Sequence, residues 1–379
     1  MDFEKCPTKD RHGDHHELES TEQVSFAVNE LVISDRVLAW FAHHGRRGLP
    51  WQVLRTAYRV WVSEIMLQQT QVQTVLRYFP PFVERFPNVT ALARADLDEV
   101  LRLWSGLGYY ARARNLHRTA RILVNEYDGN LPLDHERLQC LPGIGRSTAG
   151  AILALASDQR HPILDGNVKR VLCRHQAIEG WPGHARVTKH LWQLADEYTP
   201  HQHSVAEYTQ GIMDLGSMVC TRVRPRCGAC PLRADCRAHA QARVNDFPEA
   251  RPRRGLPLRR TTFVVVRRPD GCVLLERRPT VGVWGGLWSF PECSSEKDAK
   301  DWCLRRFGQR PAVSLRLPLK RHRFSHFHLE ISPIVLDIAA PQRCVMEVDS
   351  VLWYKGGESK IGGLPAPVAG LLNGLLPNS

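Results

Sequence analysis

No run in the chain approaches ~18 uninterrupted apolar residues, so no membrane-spanning helix is readable in it. The first residues, Met1-Asp2-Phe3-Glu4-Lys5-Cys6-Pro7, lack the apolar core of a signal peptide, and secretion is not expected. No repeat of solenoid length is present. Acidic residues are the minority charge, 39 against 51 Lys and Arg, which leaves a formal +12 over 379 residues. A cytoplasmic setting is expected, nucleoid-associated in a bacterium. In such a reducing compartment the 11 cysteines, an odd number, read as free thiols or metal ligands rather than a disulfide framework.

What is present is ample apolar material, 43% of residues, enough for two or three domains. Residues 1–25 carry a net −4, residues 26–240 a net +7 and residues 241–379 a net +9. Both larger bodies are therefore basic, and they use Arg far more than Lys. Arg matches phosphate geometry, so nucleic acid is the favoured partner. A basic solvated surface would give the same balance, and charge alone does not decide.

Residues 1–25 are polar, rich in His and acid, and read as a disordered leader. From Phe26 to Ala240 the apolar spacing is mostly helical. Val60 to Phe79 predicts one helix, stopped by Pro80-Pro81. Leu97 to Trp104 predicts another, with Asp96 as its cap. Thr148 to Ala156 is small and apolar, as a buried helix would be. Arg243 to Arg260 contains Pro248, Pro252 and Pro257 and reads as a linker. Beyond it the pattern changes to strands. Thr261 to Val266, then Pro269-Asp270-Gly271, then Cys272 to Leu275 form a hairpin signature, and Phe324 to Leu336 is a further strand-rich run. An all-α body thus precedes a smaller α+β or β-rich one.

Cys220-x6-Cys227-x2-Cys230-x5-Cys236 places four thiols within 17 residues. Structural zinc and a [4Fe–4S] cluster both accept four Cys. Zinc sites more often show two separated pairs, whereas one tight pair with two longer arms is found here. Leu141-Pro142-Gly143-Ile144-Gly145-Arg146-Ser147-Thr148-Ala149-Gly150 is a helix, a glycine turn and a second helix, whose open N-terminus suits a phosphate. Asp165, in Leu164-Asp165-Gly166-Asn167, follows an apolar run and precedes a helix. Alone it reads as a cap. Its position about 20 residues after the hairpin makes the combination more telling.

That combination resembles the helix–hairpin–helix DNA glycosylase superfamily with its iron–sulfur loop. Further motifs resemble its MutY-type adenine DNA glycosylases: Trp61 to Val72, Gly106-Leu107-Gly108-Tyr109-Tyr110, Trp284 to Pro291 and Phe324-Ser325-His326-Phe327-His328-Leu329. The resemblance runs from about Leu38 to the C-terminus. It implies a mostly α glycosylase body over residues 26–242, with the iron–sulfur loop at 220–236. A linker at 243–260 and an α+β Nudix-like 8-oxoguanine recognition domain at 261–379 would follow.

The resemblance implies excision of adenine mispaired with 8-oxoguanine, or with G, from double-stranded DNA, with the base extruded from the duplex. Glu64 would be the general acid, which needs a raised pKa. Asp165 would be the ionised carboxylate beside the sugar, and Asn167 would order it. Ser147 stands where strand-cleaving relatives carry a catalytic Lys, which implies base removal without strand scission. Gln69 and Tyr109 match residues that wedge into the duplex. Gly143 and Gly145 match the DNA-contacting hairpin, and Trp51, Leu67 and Gln210 match the adenine pocket. Gln52 stands where the family often has Arg, so adenine contacts are expected to differ there. Phe324, Ser325 and His326 would read 8-oxoguanine, and Cys220, Cys227, Cys230 and Cys236 would hold a [4Fe–4S] cluster. Residues 292–309 lack the Glu-rich box of an active Nudix hydrolase, so that domain reads as non-hydrolytic. A monomer is expected. Two alternatives compete: a bifunctional pyrimidine-damage glycosylase/lyase, disfavoured by Ser147 and the C-terminal domain, and a non-catalytic iron–sulfur DNA-binding or redox-sensing protein, disfavoured by Glu64 with Asp165.

Overall fold

The structure is a computed structural model of the chain. It describes residues 23–201, 204–252, 255–339, 350–356 and 362–376, with the side chains described from residue 33 onward. Most of the expected leader lies outside the described residues. None of the described helices is long and apolar enough to cross a membrane.

The first helices are α1 (Gln23–His44), α2 (Pro50–Val53), α3 (Ala57–Leu67), α4 (Val72–Arg85) and α5 (Val89–Arg94). Next come α6 (Leu97–Leu103), α7 (Ala111–Glu126), α8 (His135–Cys140), α9 (Arg146–Ser157) and α10 (Gly166–His175). Then follow α11 (Ala185–Tyr198), α12 (Val205–Asp214), a π-helical turn Leu215–Val219 and the short α13 (Arg237–Ala240). Contacts divide the chain into two units. Met1–Ala93 with Arg118–Pro252 form one, and Arg94–His117 with Arg253–Ser379 form the other.

In the first unit α12 packs on α1 and α9, and α3 packs on α9 and α4. The core gathers Val37, Trp40, Phe41, Leu172, Leu191, Tyr208, Ile212 and Leu215, the apolar faces of α1, α10, α11 and α12 with the turn that follows. The single helix expected over Val60–Phe79 is in fact two. It breaks at Gln68–Gln71, where Gln69 takes a left-handed φ of 57°. Nor do Pro80 and Pro81 stop α4, which continues to Arg85. The two prolines remove the N–H partners of the Leu76 and Arg77 carbonyls. Both prolines lie on the exposed side, where water can serve those carbonyls, while Val75, Phe79, Phe82 and Val83 hold the buried side. Packing outweighs the local cost.

The second unit carries an eight-stranded sheet whose main path is β3-β2-β1-β7-β5. The strands are β1 (Leu258–Arg267), β2 (Val273–Arg277), β3 (Trp288–Ser289), β4 (Glu292–Cys293), β5 (Val313–Arg316), β6 (Lys320–Arg323), β7 (His328–Asp337) and β8 (Val351–Tyr354). The hairpin expected after Thr261 is present, with Arg267 opposite Val273. β1 begins at Leu258, three residues inside the stretch read as linker, and runs parallel to β7. Alternation sorts the sheet's two faces. Phe263, Val265, Val273 and Leu275 face the helix α15 (Ala366–Leu375), and Val264, Val266 and Leu274 face α14 (Glu296–Phe307). Asp96 caps α6 through the Asp98 amide, as its sequence position predicts.

Candidate active site

Glu64 lies on the last turn of α3, where Trp61, Ser63, Ile65 and Met66 are buried. That helix directs it into a cavity of about 800 Å3 that is also lined by Asp165 and Asn167. Burial, with the Asp165 charge adding to it, pushes the Glu64 carboxyl up to about 8. This acid therefore keeps its proton at neutral pH.

Asp165 is the N-cap of α10. Its Oδ1 accepts the Asn167 and Val168 amides at 3.0 and 2.7 Å, and Oδ2 accepts the Asn167 side-chain amide at 3.2 Å. Burial raises its pKa. The two amides, the nearby Arg170 and the Asn167 side chain oppose the rise without cancelling it. A cap alone would have held the group low, but desolvation outweighs it. The two carboxyls thus face one space in unequal settings, one with little to support a charge and the other with three hydrogen bonds doing so.

Further contacts fix this geometry. Asn167 Oδ1 accepts from Arg170 Nη2 at 2.9 Å, which orients its amide toward Asp165. Arg170 also donates to the Cys220 carbonyl at 2.7 Å and the Gly216 carbonyl at 2.6 Å, tying α10 to the cysteine segment. Gly216 sits so close that an added Cβ would lie 2.7 Å from Asn167 Cβ. Ser147, on the first turn of α9, accepts the Leu164 amide at 2.9 Å and so anchors the segment leading into Asp165. Gln68 donates to the Gly143 carbonyl and the Thr148 hydroxyl, joining α3 to the hairpin. Gly143 takes φ +84°, a left-handed turn that favours glycine. Gly145, the N-cap of α9, has ordinary backbone angles and open space in front of it.

Around the one cavity the structure brings together Glu64, Asp165, Asn167, Ser147, Trp51, Leu67, Gln69 and Gln210. Trp51 is held edge-on against Phe79 at 5.4 Å. Gln52 is not among the lining residues. It accepts the Leu49 amide and donates to the Arg46 carbonyl, so it shapes the loop rather than the wall. Arg46 and Asp214 escaped the sequence reading. Asp214 is fully buried and accepts Arg46 N, Arg46 Nε and Gln210 Nε2. The signal for it was an Asp set in the apolar run Ile212 to Leu215, one helical turn after Gln210.

The four expected cysteine ligands are free thiols around a second, small cavity of about 20 Å3. Burial pushes Cys230 up to about 11 and Cys236 upward, and the neighbouring thiols add to both. Arg174 lies 3.4 Å from the Cys220 sulfur. Among the described residues no three His, Cys, Asp or Glu side chains converge on one ion position. The thiols border a shared space instead.

The remaining predicted residues belong to the second unit. Tyr109 is exposed and holds a left-handed φ of 49°. Phe324 to Phe327 form the turn between β6 and β7, closed by Phe324 N to Phe327 O at 2.9 Å, rather than the start of a strand. Phe324 stacks on Phe327 at 4.5 Å and meets Trp284 and His322, while Ser325 and His326 stand exposed.

Two family descriptions match the chain, an HhH-GPD superfamily base excision DNA repair protein over residues 62–197 and a NUDIX domain over residues 262–374. The first unit's helical body accords with a solved thermostable thymine-DNA glycosylase, at TM-score 0.50 and 25% identity over 57% of this chain and 99% of that one. The class is therefore a helix–hairpin–helix DNA N-glycosylase with a C-terminal Nudix-like domain. The adenine DNA glycosylase of Buchnera aphidicola from Acyrthosiphon pisum is 36% identical over 93% of this chain and 99% of its own length. That of Mus musculus is 36% identical over 83% of this chain and 73% of its own. The chain belongs to the adenine DNA glycosylase family of MutY type, enzymes of base excision repair that act on DNA.

Proposed function

We propose that the chain excises adenine paired with 8-oxoguanine, and more slowly adenine paired with G, after extruding the base into the Glu64–Asp165 cavity. The observation that carries this reading is two carboxyl groups facing one cavity in unequal settings, Glu64 buried with its pKa raised to about 8 and Asp165 held by three hydrogen bonds. Glu64 donates its proton to the ring of the departing adenine. The C1′–N9 bond breaks with its electron pair going to the base, and ionised Asp165 stabilises the positive charge left on the sugar. Water adds to C1′, and its released proton restores Glu64. Asn167 and Arg170 hold Asp165 in place. Ser147 carries no amine, so the abasic strand is left intact. Gln69, Tyr109 and the hairpin at Gly143 and Gly145 contact the duplex, with Trp51, Leu67 and Gln210 lining the base pocket. Phe324, Ser325 and His326 read the oxidised base, since a hydroxyl and an imidazole on an aromatic footing offer donors to its altered edge.

The four cysteine thiols fit a [4Fe–4S] cluster. They border a shared space and are free of disulfides, and burial raises the Cys230 and Cys236 thiols, so that a cationic centre would be needed to deprotonate those two. Bound there, the cluster would cross-link the loop through Cys220, Cys227, Cys230 and Cys236. Single-turnover adenine release from duplexes containing 8-oxoguanine:A, G:A and T:A tests the reading. The first should be fastest and the last negligible; equal rates on all three would overturn it. Iron near four atoms per chain is expected, and stoichiometric zinc in protein prepared without oxygen would remove the cluster.

A further inference from the structure

Gln210 lines the cavity with a side chain that has two chemically opposite ends. Its amide offers an NH2 that only donates and a carbonyl oxygen that only accepts. Which end faces the cavity decides what the cavity can recognise, and that is set by the partner behind it. The partner is Asp214, one turn later on α12 and fully buried. Its Oδ2 accepts the Arg46 backbone amide at 2.7 Å, and its Oδ1 accepts Arg46 Nε at 2.9 Å and Gln210 Nε2 at 2.8 Å. Arg46 in turn is held by the Ser217 hydroxyl at 2.9 Å. A carboxylate paired with a guanidinium is an acceptor only. Turned the other way, the Gln210 carbonyl would press against a buried carboxylate oxygen, two acceptors without a proton between them. The NH2 must therefore face Asp214. The carbonyl oxygen is left without a partner among the described residues and is not sealed off from the cavity.

We infer that Asp214 is a positioning residue that fixes the polarity of the Gln210 amide, so that the cavity presents a carbonyl acceptor and favours purines bearing an exocyclic amine over 6-oxo purines. The inference rests on adenine release as the reaction. Adenine brings an N–H donor to such an acceptor. Hypoxanthine brings a carbonyl oxygen in its place, and unsubstituted purine brings nothing. A site whose buried polar group is left unpaired by the wrong ligand discriminates strongly. Asp214→Asn breaks the logic without removing volume. With the new NH2 on the Oδ2 side it meets the Arg46 backbone N–H; on the Oδ1 side it meets Arg46 Nε and Gln210 Nε2, and Gln210 is then freed to rotate.

The test is single-turnover base release from duplexes with adenine, purine or hypoxanthine opposite the same partner base. It is run for wild type, Asp214→Asn, Gln210→Leu and the double variant. The intrinsic lability of each base cancels when variant ratios are compared with the wild-type ratio. Partial unfolding lowers amplitudes rather than rates. Asp214→Asn should shrink the adenine-to-hypoxanthine ratio about ten-fold or more, and should leave the ratio unchanged in the Gln210→Leu background. An unchanged ratio in the single variant, or an equal shift in both backgrounds, would overturn the inference. If Asp214→Asn does not fold, the wild-type Gln210 side-chain amide decides. Its NMR signals, assigned by their loss in Gln210→Leu, should include one proton slow to exchange with solvent, and fast exchange of both would overturn it. Failure of wild type to release adenine from any duplex would instead sink the functional reading, and the amide measurement would still report on Asp214.

Discussion

At the scale of single residues, the two carboxyls in the cavity differ in their surroundings, Asp165 accepting three hydrogen bonds and Glu64 resting buried. Glu64 is held up to about 8 by burial and by Asp165, and in the proposed mechanism its protonated form is the active one. Base release should therefore fall as pH rises through about 8. Glu64→Gln should abolish that alkaline limb and lower the plateau by ~10²-fold or more, with mismatch binding retained. Asp165→Asn should cost a similar factor. A pH–rate series under single turnover checks all three statements. Ser147→Lys should introduce strand scission without alkali, because an amine near the sugar can form a Schiff base. The gain should be partial, since Lys cannot replace the hydroxyl that holds the Leu164 amide. Gel separation of nicked from intact abasic strands measures it. Asp165 was legible as a cap because it stands directly between an apolar run and a helix start. Asp214 was not, because an Asp on an apolar helix face declares burial but not its partner 168 residues away.

At the scale of elements, what could be read depended on whether local or distant forces decide the backbone. The Asp96 cap, the Gly143 turn and the Gly271 hairpin are local, and each stands where its residues place it. The break at Gln68–Gln71 and the survival of α4 through Pro80-Pro81 are not local. Packing of Phe79 and Phe82 and the Gln68 bridge to the hairpin decide them. The π-helical turn after Asp214 also has no local signature. It brings Gly216 against Asn167 with no room for a side chain. Gly216→Ala should therefore cost about 1–3 kcal/mol and slow base release by displacing Asn167, whereas Gly145→Ala, with open space before it, should be mild. Thermal melts and single-turnover rates compared across the two variants separate these outcomes.

At the scale of the whole molecule, the turn proposed to read the oxidised base and the Glu64–Asp165 cavity belong to different units. Replacing Ser325 and His326 with Ala should slow release more from 8-oxoguanine:A than from G:A duplexes, because only the oxidised base offers the altered edge. Rates on the two duplexes, taken as a ratio, check this. Composition separated a helical body from a strand-rich one, but it gave no sign that residues 94–117 group with the chain after 252. Their helices read like the rest of the α body. Only tertiary contacts reveal the grouping: Asp98 pairs with Arg277, Arg114 donates to the Gly285 carbonyl, and the Tyr110 hydroxyl donates to the Leu364 carbonyl. The polypeptide thus enters its second unit twice. A protease nick between Arg243 and Pro257 would cut the chain without releasing that unit, because the upstream fragment still carries part of it. The two fragments should co-elute on gel filtration under native conditions and part only in denaturant. By the same reasoning, a gene truncated at residue 252 would encode more than a freed catalytic body, since it would strand two helical segments stripped of their partners.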